Sequence, residues 1–493
     1  MDSDFFLAAL EKELGHRFTA SQARAALLLS HFVVTPKPRP ACILRGYAGT
    51  GKTSLVAALV KTMSRCGMPT VLLAPTGRAA KVFSRMAGAK ASTIHRAIYR
   101  QETFRGEDTR FALGHNSLRG ALFIVDEASM ISSGTGFQND SLFGSGELLD
   151  DLVTFVYSGD GCRLLLVGDT AQLPPVGEEE SPALQDETFR RYGLLTGSAD
   201  LTDVVRQQSR SSVVSEATLV RQCQEQNLTS AFPPIHTSET GEVRSLMQND
   251  LIEQLQTDYD TVGIDETVVV VRSNKQAGIY NQGIRARILD FEDVLNRGDR
   301  VMVVKNNYFW AEQLAATLPK GETLPFSFIA NGDVAVVERL RNVHTQHGFL
   351  FGEAVLRFPD YDDFELTARV LLSTLTSESP SLTAAESHEL YERVLEDYAH
   401  IRDRRKRFRA LREDPYYNAL QLKYAYAVTC HKAQGGQWSR VFIDQGYLPE
   451  DLSMQSYLRW LYTAFTRTTD RLFLVNWPKE QYVEVDDAFS EEA

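Results

Sequence analysis

GYAGTGKTS, from Gly46 to Ser54, follows the apolar run CILR and fits the spacing G-x-x-x-x-G-K-[ST]. A strand entering such a loop, with a helix leaving it, is a phosphate-binding arrangement. The chemistry requires these residue types. Gly46, Gly49 and Gly51, with Thr50 and Ser54, let backbone N–H groups close around phosphates. Lys52 reaches the β- and γ-phosphates, and Thr53 offers its hydroxyl to Mg²⁺. The loop therefore predicts a nucleoside triphosphate held on Mg²⁺.

Working outward, ACILRGY, TVLLAPT, ALFIVDEAS and RLLLVGD are short runs rich in Val, Ile and Leu. Buried strands of a parallel sheet read this way, with the chemistry in the loops at their carboxyl ends. In IVDEAS, Asp126 ends such a run and is suited to hold Mg²⁺ through its water shell. Glu127 beside it is the natural base for the attacking water. In LLLVGDTAQLPPVG, Gln172 can sense the γ-phosphate and the lytic water, and Pro174–Pro175 fixes an extended loop. Gln22, in FTASQARAALLL, admits two readings. Thr19-x-x-Gln22 matches a helix capping box, and a glutamine amide also suits the N6 and N7 edge of adenine.

The chain has 493 residues, 43% hydrophobic and 24% charged, enough for two to four globular domains with sizeable cores. No apolar run approaches the roughly 20 residues needed to span a bilayer. The acidic opening MDSDFFLAALEKELG lacks the basic start of a signal peptide, so the expected location is cytoplasmic, or nucleoid-associated in a bacterium. The cysteines are scattered without a CxxC pair, which argues against a zinc ribbon or disulfide framework. The net charge of −12 speaks to solubility; phosphate binding needs only a local basic track.

Residues 1–30 read as two helices. A second parallel region starts at TVVVVRSN, near Thr267, and resumes with QLKYAYAVTCHKAQ, RVFIDQG and RLFLVNW. Between them, VMVVKNNYFW, FIANGDVAVVERL and FGEAVLRFP read as short antiparallel strands of a small barrel. Residues 384–414 follow as a charged helix or helical pair, with seven cations and one acid between Arg402 and Arg412. That run is either a solvated face or an accessory DNA or partner contact.

Taken in order, these motifs resemble superfamily-one helicases of the 5′→3′ branch, the RecD-like, Dda-like and Pif-type enzymes. The resemblance covers most of 15–340 and 420–475 and is weak over 345–415. It implies an α/β fold of two RecA-like parallel-sheet motor domains, with a small hairpin inserted in the first and an SH3-like β-barrel plus helical insertion in the second. The implied domains are 1–195 with a pin-like hairpin about 97–120, then 196–290 with 416–493, and 291–415 for the barrel and helices.

The resemblance also implies roles. Gln22 falls in the adenine-reading motif. Arg206 in LTDVVRQQ and Arg467 in LYTAFTRTTD match two arginines that the second motor domain contributes to ATP, although TRTTD departs from the usual ending. LAPTGRAAK implies that Thr76 and Arg78 lie near the DNA backbone. STIHR offers Thr93 and His95 as further strand contacts, and YAVTCHKAQGGQW offers Thr429, His431 and Lys432. Phe104 and Phe111 would stack on a base or split a fork, or else close the hairpin's own core.

The implied function is an ATP-dependent, Mg²⁺-dependent motor moving 5′→3′ on single-stranded DNA and opening duplex at ss/ds junctions, working as a monomer. The alternatives are a partner-dependent translocating ATPase subunit and an RNA-directed helicase. A GTPase switch is disfavoured because Asn274–Lys275 continues with Gln276 and Ala277 rather than as NKxD.

Overall fold

A computed structural model describes residues 2–102, 110–134, 145, 147–205, 211–228, 232–319, 324–326 and 328–485. Its first sheet has six parallel strands in the order Ala91–Thr93, Thr70–Ala74, Leu122–Val125, Arg163–Gly168, Pro40–Gly46, Leu195–Leu201. All four runs singled out in the sequence are interior strands here. Alternation across the pleat explains their continuous hydrophobicity. Ala41 and Ile43 enter one core layer, while Cys42 and Leu44 enter the layer on the opposite face. Helices Ser3–Leu14 and Ala20–Val34 cover that opposite face through Phe6, Leu10, Ala25 and Leu29.

The second sheet has five parallel strands, in the order Val243–Leu246, Thr468–Val475, Trp438–Asp444, Thr267–Val271, Ala427–Thr429. The strands Arg300–Val303, Val334–Gln346, Phe349–Phe358, Phe364–Leu371 and Leu420–Tyr424 close a separate barrel. Val269, Val271 and Phe442 of the sheet share one core with Val301, Val337, Leu356 and Leu422 of the barrel. A buried ion pair pins the junction. Arg285 Nε donates to Asp299 Oδ1 at 2.8 Å, and Tyr426 Oη donates to the same carboxylate at 2.9 Å.

The helices Ala384–Asp397 and Arg404–Arg412 build a small satellite core with Phe349, Phe351 and Leu371 of the barrel. The strands Tyr99–Glu102 and Arg110–Leu113 form an antiparallel hairpin within the expected insertion.

Three expectations need correction. The first-domain boundary at 195 cuts a strand: Leu195–Leu201 pairs in parallel with Pro40–Gly46 and is the edge of the first sheet. The boundary at 416 likewise assigns Leu420–Tyr424 to the second sheet, whereas Tyr424, Lys423 and Leu422 pair with Val301, Met302 and Val303 and close the barrel. Finally, VMVVKNNYFW is a strand only as far as Val303, and Phe309–Thr317 is a helix.

Candidate active site and nucleic-acid cleft

The phosphate loop turns from strand Pro40–Gly46 into helix Lys52–Arg65. Gly51 makes that turn with φ +78, and a Cβ there would lie 2.6 Å from Gln22 Nε2. Gln22 is fully buried beneath the loop. Its Nε2 donates to Thr50 O at 3.1 Å, while its Oε1 accepts from Thr19 N at 3.1 Å and completes a capping box. Both ends of the amide are thus engaged in the protein, and adenine recognition would require exchanging one of these bonds. Lys52 Nζ donates to Gly46 O at 2.5 Å and Tyr47 O at 2.9 Å, and lies 3.7 Å from Asp169.

Glu127 sits in the left-handed region, φ 52 and ψ 38, at the end of strand Leu122–Val125. For a glutamate this conformation costs on the order of 1–3 kcal/mol and is tolerated where the surroundings impose it. Burial and the adjacent Glu127 charge push the Asp126 carboxyl up to about 7. A crowded pair of carboxylates beside the Thr53 hydroxyl fits a divalent cation, whose charge would relieve that crowding. Gln172 is buried, and its Oε1 has no hydrogen-bond partner among the described residues.

Arg467 arrives from the second sheet, immediately after helix Met454–Phe465. It is 3% exposed, donating through Nε to Thr463 O at 3.0 Å and through Nη1 to Gly436 O at 3.2 Å. Its Nη1 also stands 4.0 Å from Glu127 Oε1. Lys52, Thr53, Asp126, Glu127, Gln172 and Arg467 all line one cleft of about 350 Å³ between the two sheets. Arg206 lies outside the described residues.

Sequence reasoning missed two groups that hold this cleft together from behind its lining. Tyr462, on the helix preceding Arg467, accepts from Ala48 N of the phosphate loop at 2.8 Å and donates to Asp169 Oδ2 at 2.7 Å. One buried phenol therefore joins the second unit to both the loop and the strand behind Gln172. The neighbouring Thr463 Oγ1 accepts from Leu173 N at 2.8 Å. Asp169 stood in plain view after a buried strand, but its partner is 293 residues away.

Several of the residues expected to touch DNA make protein contacts. Thr76 Oγ1 caps helix Gly77–Ala87 by accepting from Ala79 N at 3.2 Å. The Arg78 guanidinium lies 3.9 Å above the Trp438 ring and donates to Gln437 O at 3.2 Å, so it bridges the two units. A Cβ on Gly436 would fall 2.4 Å from that same ring, which is why the backbone there carries none.

Burial lowers His95 to about 4, and its neutral ring packs against Tyr99 and Phe328. Thr93 caps the short helix Ile94–Ile98. Thr429 precedes the turn Cys430–Ala433, which carries His431 and Lys432. Lys432 Nζ donates to Asn331 Oδ1 on a barrel turn, and burial lowers this ammonium to about 8. Phe111 stands opposite Gln101 in the hairpin register, and Phe104 lies outside the described residues.

A second cleft, of about 600 Å³, separates the first sheet from the barrel. Lys81, Arg85, Lys90, Thr93 and Arg96 line one side, and Phe326, Phe328 and Tyr361 line the other. Cations facing aromatic rings can hold a single strand, the first through phosphates and the second by stacking on bases. Of the expected DNA contacts among the described residues, only Thr93 lines this cleft. Lys81 and Arg96 close the LAPTGRAAK and STIHR motifs without having been singled out there, and Arg85 and Lys90 had no motif to mark them.

The two sheets, the phosphate loop between them and the barrel define the chain's class. Residues 20–240 match the family model of an AAA domain, and residues 424–475 that of a UvrD-like helicase C-terminal domain. Both matches support a superfamily-one helicase of the Pif1/RecD-like type.

Its relatives include the ATP-dependent RecD2 DNA helicase of Deinococcus radiodurans, 33% identical over 179 residues, which are 36% of this chain and 21% of that protein. The ATP-dependent DNA helicase dda of Enterobacteria phage T4 is 28% identical over 181 residues, 36% of this chain and 37% of that protein. The chain thus covers well under two thirds of either relative's length. A solved Pif1 helicase from Bacteroides, in complex with ADP-AlF3 and ssDNA, aligns over 95% of this chain and 94% of its own at 15% identity, with TM-score 0.43. Among the described residues no helix is long and apolar enough to cross a membrane.

Proposed function

We propose that this protein is an ATP-driven motor that moves 5′→3′ along single-stranded DNA and unwinds duplex at junctions. The observation that carries this reading is the convergence of Lys52, Asp126, Glu127 and Gln172 from one sheet with Arg467 from the other in a single cleft. ATP would lie on the phosphate loop, with Lys52 exchanging its two carbonyl partners for phosphate oxygens. Thr53 and Asp126 would hold Mg²⁺, which would supply positive charge against the charge developing on the transferred phosphoryl group. Glu127 orients and deprotonates the attacking water, and the unpaired Gln172 carbonyl is suited to accept from that water. Arg467 shifts from Glu127 toward the transferred phosphoryl group. The strand would run through the cation–aromatic cleft, in contacts dominated by phosphate and tolerant of sequence.

The deciding experiment is ATP-dependent unwinding by the purified protein of duplexes carrying either a 5′ or a 3′ single-stranded tail. Unwinding of the 5′-tailed substrate alone is the expected result. A 3′ preference would overturn the polarity and leave the ATP site standing. DNA-stimulated hydrolysis without unwinding would favour a partner-dependent translocase, and equal stimulation by single-stranded RNA would widen the substrate class.

Tyr462→Phe probes the link between the units. Removing the hydroxyl strands Ala48 N–H and takes one donor from Asp169, at a cost of about 1–3 kcal/mol in the closed arrangement. The expected result is a fall of about tenfold or more in DNA-stimulated ATP turnover. Unchanged turnover would reduce the phenol to a packing group.

A further inference from the structure

The cations on helix Arg404–Arg412 are used by neither cleft. The segment Arg402–Arg412 holds seven cations and a single acid in a chain of net charge −12. The acid, Asp403, is occupied at the helix N-terminus, where its carboxylate accepts from Arg405 N at 2.9 Å and Lys406 N at 3.2 Å. Leu411 and Phe408 turn into the satellite core with Phe351, Leu390 and Val394. Arg407 folds back onto the carbonyls of Ala399 and Ile401.

This anchoring sets the remaining cations outward. Arg405, Arg409 and Arg412 stand at i, i+4 and i+7, exposed and on one face of the helix. At about 1.5 Å of rise per residue they are spaced by about 6 and 4.5 Å along its axis.

The stripe is also tied to the cleft wall. Asn418 Nδ2 donates to Arg412 O at 2.6 Å, and Asn418 O accepts from Asn307 Nδ2 and Trp310 Nε1, both at 2.8 Å. Between those two donors sits Tyr308, whose ring centroid is 4.9 Å from that of Phe328 in the cleft lining.

We infer that this helix face binds the phosphate backbone of the double-stranded arm of a DNA junction whose single strand occupies the adjoining cleft. The inference rests on the motor reading above. The choice of a duplex follows from what the stripe carries. It offers guanidinium donors on a rigid support, and such groups suit the phosphate contacts that backbone positioning uses. It presents no aromatic ring for stacking on an unpaired base and no apolar side chain for entry into a lipid surface.

The test compares wild-type protein with the neutral triple variant Arg405→Gln, Arg409→Gln, Arg412→Gln, and with the single variant Arg409→Gln as a check on folding. Fluorescence anisotropy would follow binding to a 5′-tailed duplex and to the single-stranded tail alone across a salt series. The expected result is a loss of about tenfold in affinity for the tailed duplex, with a salt slope shallower by about 2–3. Affinity for the free tail and the ATPase activity it stimulates stay unchanged. An equal loss on both substrates, or no loss on either, overturns the assignment while the motor reading stands. Retained DNA affinity with lost binding to phosphatidylserine vesicles would overturn it in favour of a membrane contact. Failure of the wild-type protein to bind either DNA would overturn the motor reading itself.

Discussion

Arg467→Ala is expected to lower ATP turnover by about 10³ or more while leaving ATP affinity within a few-fold of wild type. The guanidinium comes from the second unit, yet it ends 4.0 Å from the proposed base in the first. Two backbone carbonyls and the Thr466 hydroxyl set its direction, so little rotamer freedom remains to be lost when the phosphoryl charge develops. That pre-setting is why the effect falls on turnover rather than on binding. Lysine should not substitute. It has no planar fork to keep Thr463 O and Gly436 O while reaching a phosphate oxygen. Steady-state hydrolysis with saturating single-stranded DNA, alongside binding of a fluorescent ATP analogue, separates the two effects. A loss of tenfold or less would make Arg467 a residue that merely holds the two units together.

Glu127→Gln gives the second large effect, a fall of about 10²–10⁴ in turnover with ATP binding retained. The substitution keeps the side-chain volume but removes the proton acceptor. Its influence on Asp126 works in a favourable direction for binding. The Glu127 charge is one of the two causes that raise the Asp126 carboxyl, so neutralising it lowers Asp126 and leaves that group more fully ionised at neutral pH. Mg²⁺-dependent ATP binding should therefore be as tight as in wild type or tighter. Single-turnover hydrolysis measured with equilibrium ATP binding checks both halves. Hydrolysis at the normal rate would show that another group activates the water.

Much of this site was legible because its residues sit at fixed offsets from buried strands. Lys52, Thr53, Asp126, Glu127 and Gln172 each follow an apolar run of the first sheet, and the local pattern alone announces them. Leu195–Leu201 escaped because an edge strand needs no continuous hydrophobic run. LTGSADL buries only its last residue. QLKYAYAVT reads as one strand but serves two sheets. The break falls at Ala425–Tyr426, where Tyr426 N donates to Asn281 Oδ1 and its hydroxyl reaches Asp299. Such partners lie more than 100 residues away, and no local pattern encodes them. The same limit hid Tyr462, whose neighbours in sequence give no hint of Ala48 or Asp169. The motif residues expected at DNA add contacts of the same long-range kind. Their residue types suit phosphate, and Arg78 and Lys432 also meet Trp438 and Asn331, partners far away in sequence.

The core shared by the barrel and the second sheet has a thermodynamic corollary. Being one packed body, that half of the molecule cannot approach the phosphate loop without also changing its stance over Lys81 and Arg96 on the other side. With nucleotide and strand in the two clefts as proposed, their occupancies would be linked, and linkage is symmetric. Whatever factor bound nucleotide applies to the affinity for a strand, the strand must apply to the affinity for nucleotide. A thermodynamic cycle of four dissociation constants would close around a single coupling free energy, and its sign would tell whether nucleotide tightens or loosens the hold on the strand.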